Sequence, residues 1–131
     1  MIKRLSLVFV IFFSLSFTTI KSFKGTYEYA GGIYNGKPEK ASTEYKLLRV
    51  YGKADYQGTF IAPGEDTIIY EKGDYKLLPD TCLETQTFSS QPSKWLNTTL
   101  RYQYKISHDT LAFSGKLPNG TTVLEYWKKV K

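Results

Sequence analysis

The sequence predicts an all-β chain folded as an antiparallel up-and-down β-barrel of about eight to ten strands. Three observations carry this. Short runs alternate in character, as where Leu100, Tyr102, Tyr104 and Ile106 interleave with Thr99, Arg101, Gln103 and Lys105, the period of two that gives a strand one apolar and one wet face. Turn residues punctuate such runs roughly every eight to twelve positions, a spacing typical of sandwiches and barrels. No segment after residue 22 holds a helical period, and about nine short strands leave little room for two sheets with long crossovers. Closure of a meander also removes the sheet edges that invite aggregation.

The first 22 residues are expected to stand outside this fold. Lys3 and Arg4 make a basic start, Leu5 to Phe17 is almost wholly apolar, and Ser22 offers a small residue for cleavage, with Ile20 two positions before it. This is the layout of a secretory signal peptide cut at Ser22/Phe23, with sites after Ser16 or Thr18 as alternatives. A membrane anchor is the rival reading, but an apolar run of roughly 13 residues falls short of the roughly 20 that cross a bilayer. No cysteine lies near the cut for lipid attachment. The expectation is therefore a secreted or periplasmic protein with no stable membrane insertion after cleavage. Loss of Lys3, Arg4 and Lys21, with no acidic residue, lowers the formal charge from +6 to +3. The remaining Lys and Arg are scattered among Asp and Glu, which argues against a nucleic-acid partner.

The expected domain, residues 23–131, then runs through its strands in order. Gly25 to Tyr29 opens it with Tyr27 and Tyr29 on one face, and Ala30-Gly31-Gly32 permits a bend or bulge. Asn35-Gly36-Lys37-Pro38 reads as a loop. Thr43 to Tyr51 places Tyr45, Leu47, Arg49 and Tyr51 on one face; Asp55 to Ala62 does the same for Tyr56, Gly58 and Phe60, and Pro63-Gly64 stops it. Thr67 to Glu71 and Tyr75 to Leu78 read as two strands joined by a turn at Lys72-Gly73-Asp74. Thr81 to Phe88 follows, with Cys82, Glu84, Gln86 and Phe88 sharing a face, and then the polar connection Ser89 to Lys94. Ser107-His108-Asp109 turns the chain after Ile106, Leu111 and Phe113 resume the alternation, and Pro118-Asn119-Gly120 suggests a primed hairpin turn before the last strand, Thr121 to Val130.

Gly25-Thr26-Tyr27 at the first strand, Gly73-Asp74-Tyr75 in the middle and Leu124-Glu125-Tyr126-Trp127-Lys128-Lys129 at the end resemble the small secreted lipocalin-like domains of bacteria, within the wider calycin group. In lipocalins the first strand carries Gly-x-Trp, and a basic residue near the chain end packs across that Trp. Tyr27 stands here at the Trp position, and Lys128 or Lys129 would supply the base. The resemblance implies an up-and-down barrel with a cavity for a small apolar or amphipathic molecule.

Candidate chemistry is sparse. Ser107, His108 and Asp109 are adjacent in a turn, so their side chains point apart instead of forming the relay that a triad requires. One His and one Cys do not make an ordinary zinc site, and neither a metal nor a cofactor is expected. Cys82 is alone, so no intramolecular disulfide forms, and a small buried hydrophobe is its simplest role. Glu84 and Glu125 both fall on strands and are the one carboxylate pair worth considering for glycoside hydrolysis, without further support. Asn97-Thr98-Thr99 and Asn119-Gly120-Thr121 match the glycosylation pattern but already serve as turns.

The polar strand residues are more informative. If their faces point inward, Arg49 and Glu84 form a paired centre in the lumen, with Gln86 beside them, and Arg49 is placed to bind a ligand carboxylate. Strand parity leaves the opposite arrangement open, with Leu48, Val50, Leu83, Thr85 and Thr87 forming the core. Tyr56, Phe60, Tyr102 and Tyr104 are expected inside. The sequence thus points to a non-enzymatic exported barrel that binds a small apolar or amphipathic molecule through these seven residues. Its alternatives are a barrel packed solid by its own aromatics that binds a protein or glycan through the loops at residues 31–42 and 89–94, and an enzyme built on a carboxylate or Tyr inside the cavity.

Overall fold

The computed structural model describes residues 20–131, so Lys3, Arg4 and the apolar run of the expected signal peptide lie outside the described residues. The strands are β1 (Gly25–Tyr34), β2 (Lys37–Glu39), β3 (Lys46–Tyr51), β4 (Asp55–Ile61), β5 (Ile68–Leu77), β6 (Thr81–Ser89), β7 (Thr99–Ser107), β8 (Thr110–Lys116) and β9 (Thr122–Lys129). β3 to β9 pair antiparallel in sequence order, and β1 pairs with both β3 and β9. An eight-stranded up-and-down barrel is thereby closed, with β2 as an extra strand on the second half of β1.

Local chemistry explains most of the connections. Tyr34 and Lys37 pair across Asn35 and Gly36, both at positive φ (50° and 78°), which makes a type I′ hairpin of the segment read as a loop and adds β2 to the expected strands. Around Gly31, at φ 112°, the β1–β9 register shifts between Tyr29 and Gly32, the bulge that Ala30-Gly31-Gly32 suggested. The last hairpin is not primed. Pro118 and Asn119 keep negative φ, the Gly120 N–H donates to the Leu117 carbonyl, and only Gly120 takes positive φ, at 89°. This is an ordinary turn with Pro at its second position and Gly closing it.

The larger correction is in the middle of the chain, where β5 is one strand and Lys72-Gly73-Asp74 is not a turn. Two bulges mislead the period-two count: Tyr70 is the extra residue against β4, and Thr87 is the extra residue of β6 against β5. Gly73 is needed for space, because a Cβ there would run into the Thr85 carbonyl and the Tyr56 ring. Beyond the Thr87 bulge Phe88 no longer shares the face of Glu84. It lies exposed, its ring 6.0 Å from the Lys72 ammonium on the outer surface.

The closed end of the barrel is plugged by aromatic rings. Phe23, 2% exposed, stacks on Tyr75 at 5.5 Å and meets Tyr51, Tyr104 and Phe113 edge-on at 5.0 to 5.6 Å. Its N–H donates to the Tyr75 hydroxyl and its carbonyl accepts from the Tyr27 hydroxyl. Tyr27 helps to close this end, and its cover comes from Phe23 and the Tyr51 ring at 5.6 Å, while Lys128 and Lys129, the basic residues the resemblance would place across it, are exposed. Leu111 and Cys82 are fully buried here. Burial pushes the Cys82 thiol up to about 12, which suits an inert core residue.

Candidate functional site

A charged layer lies above the plug, and the register explains how it is assembled. Arg49 on β3 is opposite Gly58 on β4, which is opposite Glu71 on β5. Gly58 has no side chain to separate the other two; a Cβ there would lie 2.7 Å from the Glu71 Cγ and 2.8 Å from the Tyr70 Cζ. The bulge turns both Tyr70 and Glu71 toward the space that Gly58 leaves. Arg49 Nη2 donates to Glu71 Oε1 at 2.8 Å, and Nη1 donates to Glu84 Oε2 and to the Tyr51 hydroxyl, both at 3.1 Å. The guanidinium carbon lies 4.9 Å from the Tyr56 ring centroid and 5.1 Å from that of Trp127. Burial alone would lower its pKa, but the charge of Glu84, with Tyr51 and Glu71, outweighs that and raises it well above its ordinary value.

The network continues to the open end. Gln86 Nε2 donates to Glu71 Oε2 at 2.9 Å, and the Ser93 hydroxyl donates to Gln86 Oε1. The Asn97 N–H bonds the Gln86 carbonyl at 2.7 Å, and the Ser90 N–H bonds the Tyr70 carbonyl at 2.9 Å, so the β6–β7 connection is tied to the same residues. On β9, Glu125 is opposite Gly32 of β1, beside the hydroxyl pair of Tyr29 and Tyr34 at 2.8 Å. Burial pushes the Glu125 carboxyl up, against the opposing pull of Arg49. Burial also raises the Tyr70 hydroxyl, to about 12. Two buried donors, Arg49 Nε and Trp127 Nε1, have no partner among the described residues.

At the mouth, Tyr45, Leu47, Phe60, Ile68 and Tyr70 line a cavity of about 380 Å³, with Ser90 and Gln91 on its rim. The rings of Tyr45 and Phe60 are 4.9 Å apart, and Tyr45 and Ile68 remain exposed. The site is thus an apolar, aromatic mouth above a fixed layer of charge.

The structure brings four of the seven sequence candidates, Arg49, Tyr56, Glu84 and Gln86, into the charged layer. Phe60 stands at the mouth. Tyr102 packs on Phe113 at 6.0 Å, with its hydroxyl raised by burial and by the charge of Glu84. Tyr104 belongs to the plug: its hydroxyl donates to the Leu78 carbonyl at 3.0 Å and its ring meets Phe23. Glu71, Tyr70 and Trp127 were not among the candidates. Glu71 and Tyr70 were hidden because the segment containing them read as the end of a strand before a turn, and no glycine at 68–71 marks the bulge. Ser107, His108 and Asp109 are exposed at the hairpin, at the end away from the mouth. No protein-family model matches this chain, and no curated protein matches it either. The architecture itself is consistent with a calycin-like barrel.

Proposed function

We propose that this chain is a lipocalin-like, exported binding protein that takes a small apolar or amphipathic molecule into the barrel mouth and performs no catalysis on it. The observation that carries the reading is the aromatic cavity above the charged layer. Its volume suits a small ligand, and its walls are mostly apolar, with Ser90 and Gln91 at the rim. Transfer of the ligand's apolar part from water to these walls contributes on the order of 25 cal/mol per Å² buried, before the cost of association. The layer below is already hydrogen-bonded, so it forms a rigid base that need not rearrange on binding.

A second reading has its own support. Tyr45, Ile68, Ile69, Phe88 and Leu96 are exposed apolar side chains on the segments around the mouth, and such a group suits a protein or glycan partner. Native mass spectrometry of the protein from its own host separates the two. A small adduct lost on denaturation, and lost from a Phe60→Ala variant, is the expected result. A clean mass together with retention of an intact macromolecular partner would replace the small-molecule reading with the second.

A further inference from the structure

We infer that the molecule bound in the mouth is an uncharged aromatic amphiphile, a ring system carrying a hydroxyl or amide, and that Arg49 takes no part in holding it; this rests on the mouth-binding reading above. The mouth is built on one row of side chains. Leu47 of β3 is opposite Phe60 of β4, and Phe60 is opposite Ile68 of β5. Leu47 stands two residues before Arg49 on β3 and so on the same inward face. The Tyr45 ring lies against that of Phe60, with centroids 4.9 Å apart and planes tilted by 32°, and Tyr70 completes the wall. Three of the seven lining residues are thus aromatic. Such walls favour a flat ring over a flexible chain, because paired rings attract beyond the area they bury.

The ligand's charge follows from what lines the mouth. No Asp, Glu, Lys, Arg or His is among the lining residues, so an ionic group drawn in there gives up water without meeting a counter-charge. Arg49, from which the sequence suggested a carboxylate site, is committed in the layer below. Its Nη2 donates to Glu71 and its Nη1 to Glu84 and Tyr51, and the guanidinium lies against the rings of Tyr56 and Trp127. A ligand carboxylate would gain a terminal nitrogen only by displacing one of these partners and leaving it buried and unpaired. An ammonium fares no better, since ring faces alone would replace its hydration. Polar contacts remain for a neutral group. The side chains of Ser90 and Gln91 form no hydrogen bond to another described residue, while their backbone is held by the Ser90 N–H to the Tyr70 carbonyl at 2.9 Å and by the Ser89 hydroxyl to the Gln91 carbonyl at 2.7 Å. The ring system rests on Tyr45 and Phe60, and its hydroxyl or amide turns outward to Ser90 and Gln91.

Four probes titrated by calorimetry into the full chain at neutral pH test this: 2-naphthol, 2-naphthoate, 2-naphthylmethylammonium and 1-octanol. Naphthol is expected to bind about tenfold more tightly than either ion and about fivefold more tightly than octanol. Tyr45→Leu, at a side chain already exposed, keeps an apolar wall but removes a ring, and should shrink the preference for naphthol over octanol. Equal or tighter binding of naphthoate, of the ammonium or of octanol by the parent protein overturns the inference, as does naphthol binding that Tyr45→Leu leaves unchanged. Binding of a charged probe or of octanol that Phe60→Leu weakens keeps the mouth as a ligand site while removing the uncharged aromatic; binding of none of the four removes both. The comparison on the parent protein decides the matter even if a variant does not fold.

Discussion

Arg49 reaches a guanidinium into the barrel from β3, and each terminal nitrogen meets a carboxylate from a different strand. The side chains of Arg49, Glu71 and Glu84 are 12%, 11% and 7% exposed, so these charges have little water to fall back on. Deleting one partner leaves the others buried and unpaired, which typically costs 3 to 5 kcal/mol. Arg49→Ala is therefore expected to lower unfolding stability by about 3 to 5 kcal/mol in a urea titration. A midpoint within error of the parent would show that the network is not structural. Arg49→Lys should recover only part of the loss, because an ammonium cannot span two carboxylates and a hydroxyl as the planar guanidinium does. The sequence already showed Arg49 and Glu84 as strand residues able to face the lumen. It could not show that Glu71 would take the second nitrogen, since that contact depends on Gly58 lying between two strands whose register is set by tertiary pairing.

β5 shows what a strand's local composition can conceal. Gly73 looked like a turn residue, and its true role is to let Tyr56 of β4 and the Thr85 carbonyl of β6 approach a strand that continues through it. Gly73→Ala separates the two roles. In an exposed turn the change would be nearly neutral; in this strand it should cost at least 1 to 3 kcal/mol through overpacking, on the order seen for added methyl groups in packed interiors. An unchanged melting temperature would argue for the turn. The same reasoning explains which elements were legible. β3, β4, β7 and β8 alternate cleanly, so which residues share a face follows from sequence, while the choice of the inward face does not. The bulges at Tyr70 and Thr87 each shift the alternation by one residue, so inward and outward positions beyond them cannot be counted from one end.

For the molecule as a whole, the distribution of charge inside the barrel gives a pH dependence of definite sign. The folded-state pKa of Glu125 is raised, so the folded protein binds its proton more tightly than the unfolded chain. That contribution is fully present below the ordinary carboxylate pKa and is lost as the pH rises through the folded value. Gln mimics the protonated acid at every pH. Glu125→Gln should thus match the parent in acid and exceed it in melting temperature near neutrality; a difference that stays constant across the series would exclude a buried, destabilised carboxylate. The sequence by itself determined the all-β class, the closed up-and-down barrel, the number of strands to within one and most turns, because hydrophobic alternation and turn chemistry are local properties. The inward face of β3, the Phe23 plug, the second carboxylate on Arg49 and the placement of Glu125 beside the Tyr29 and Tyr34 hydroxyls were decided only by tertiary structure. Each depends on residues from strands distant in sequence, and the physical cause is register: glycine gaps and bulges in neighbouring strands set which side chains meet inside the barrel.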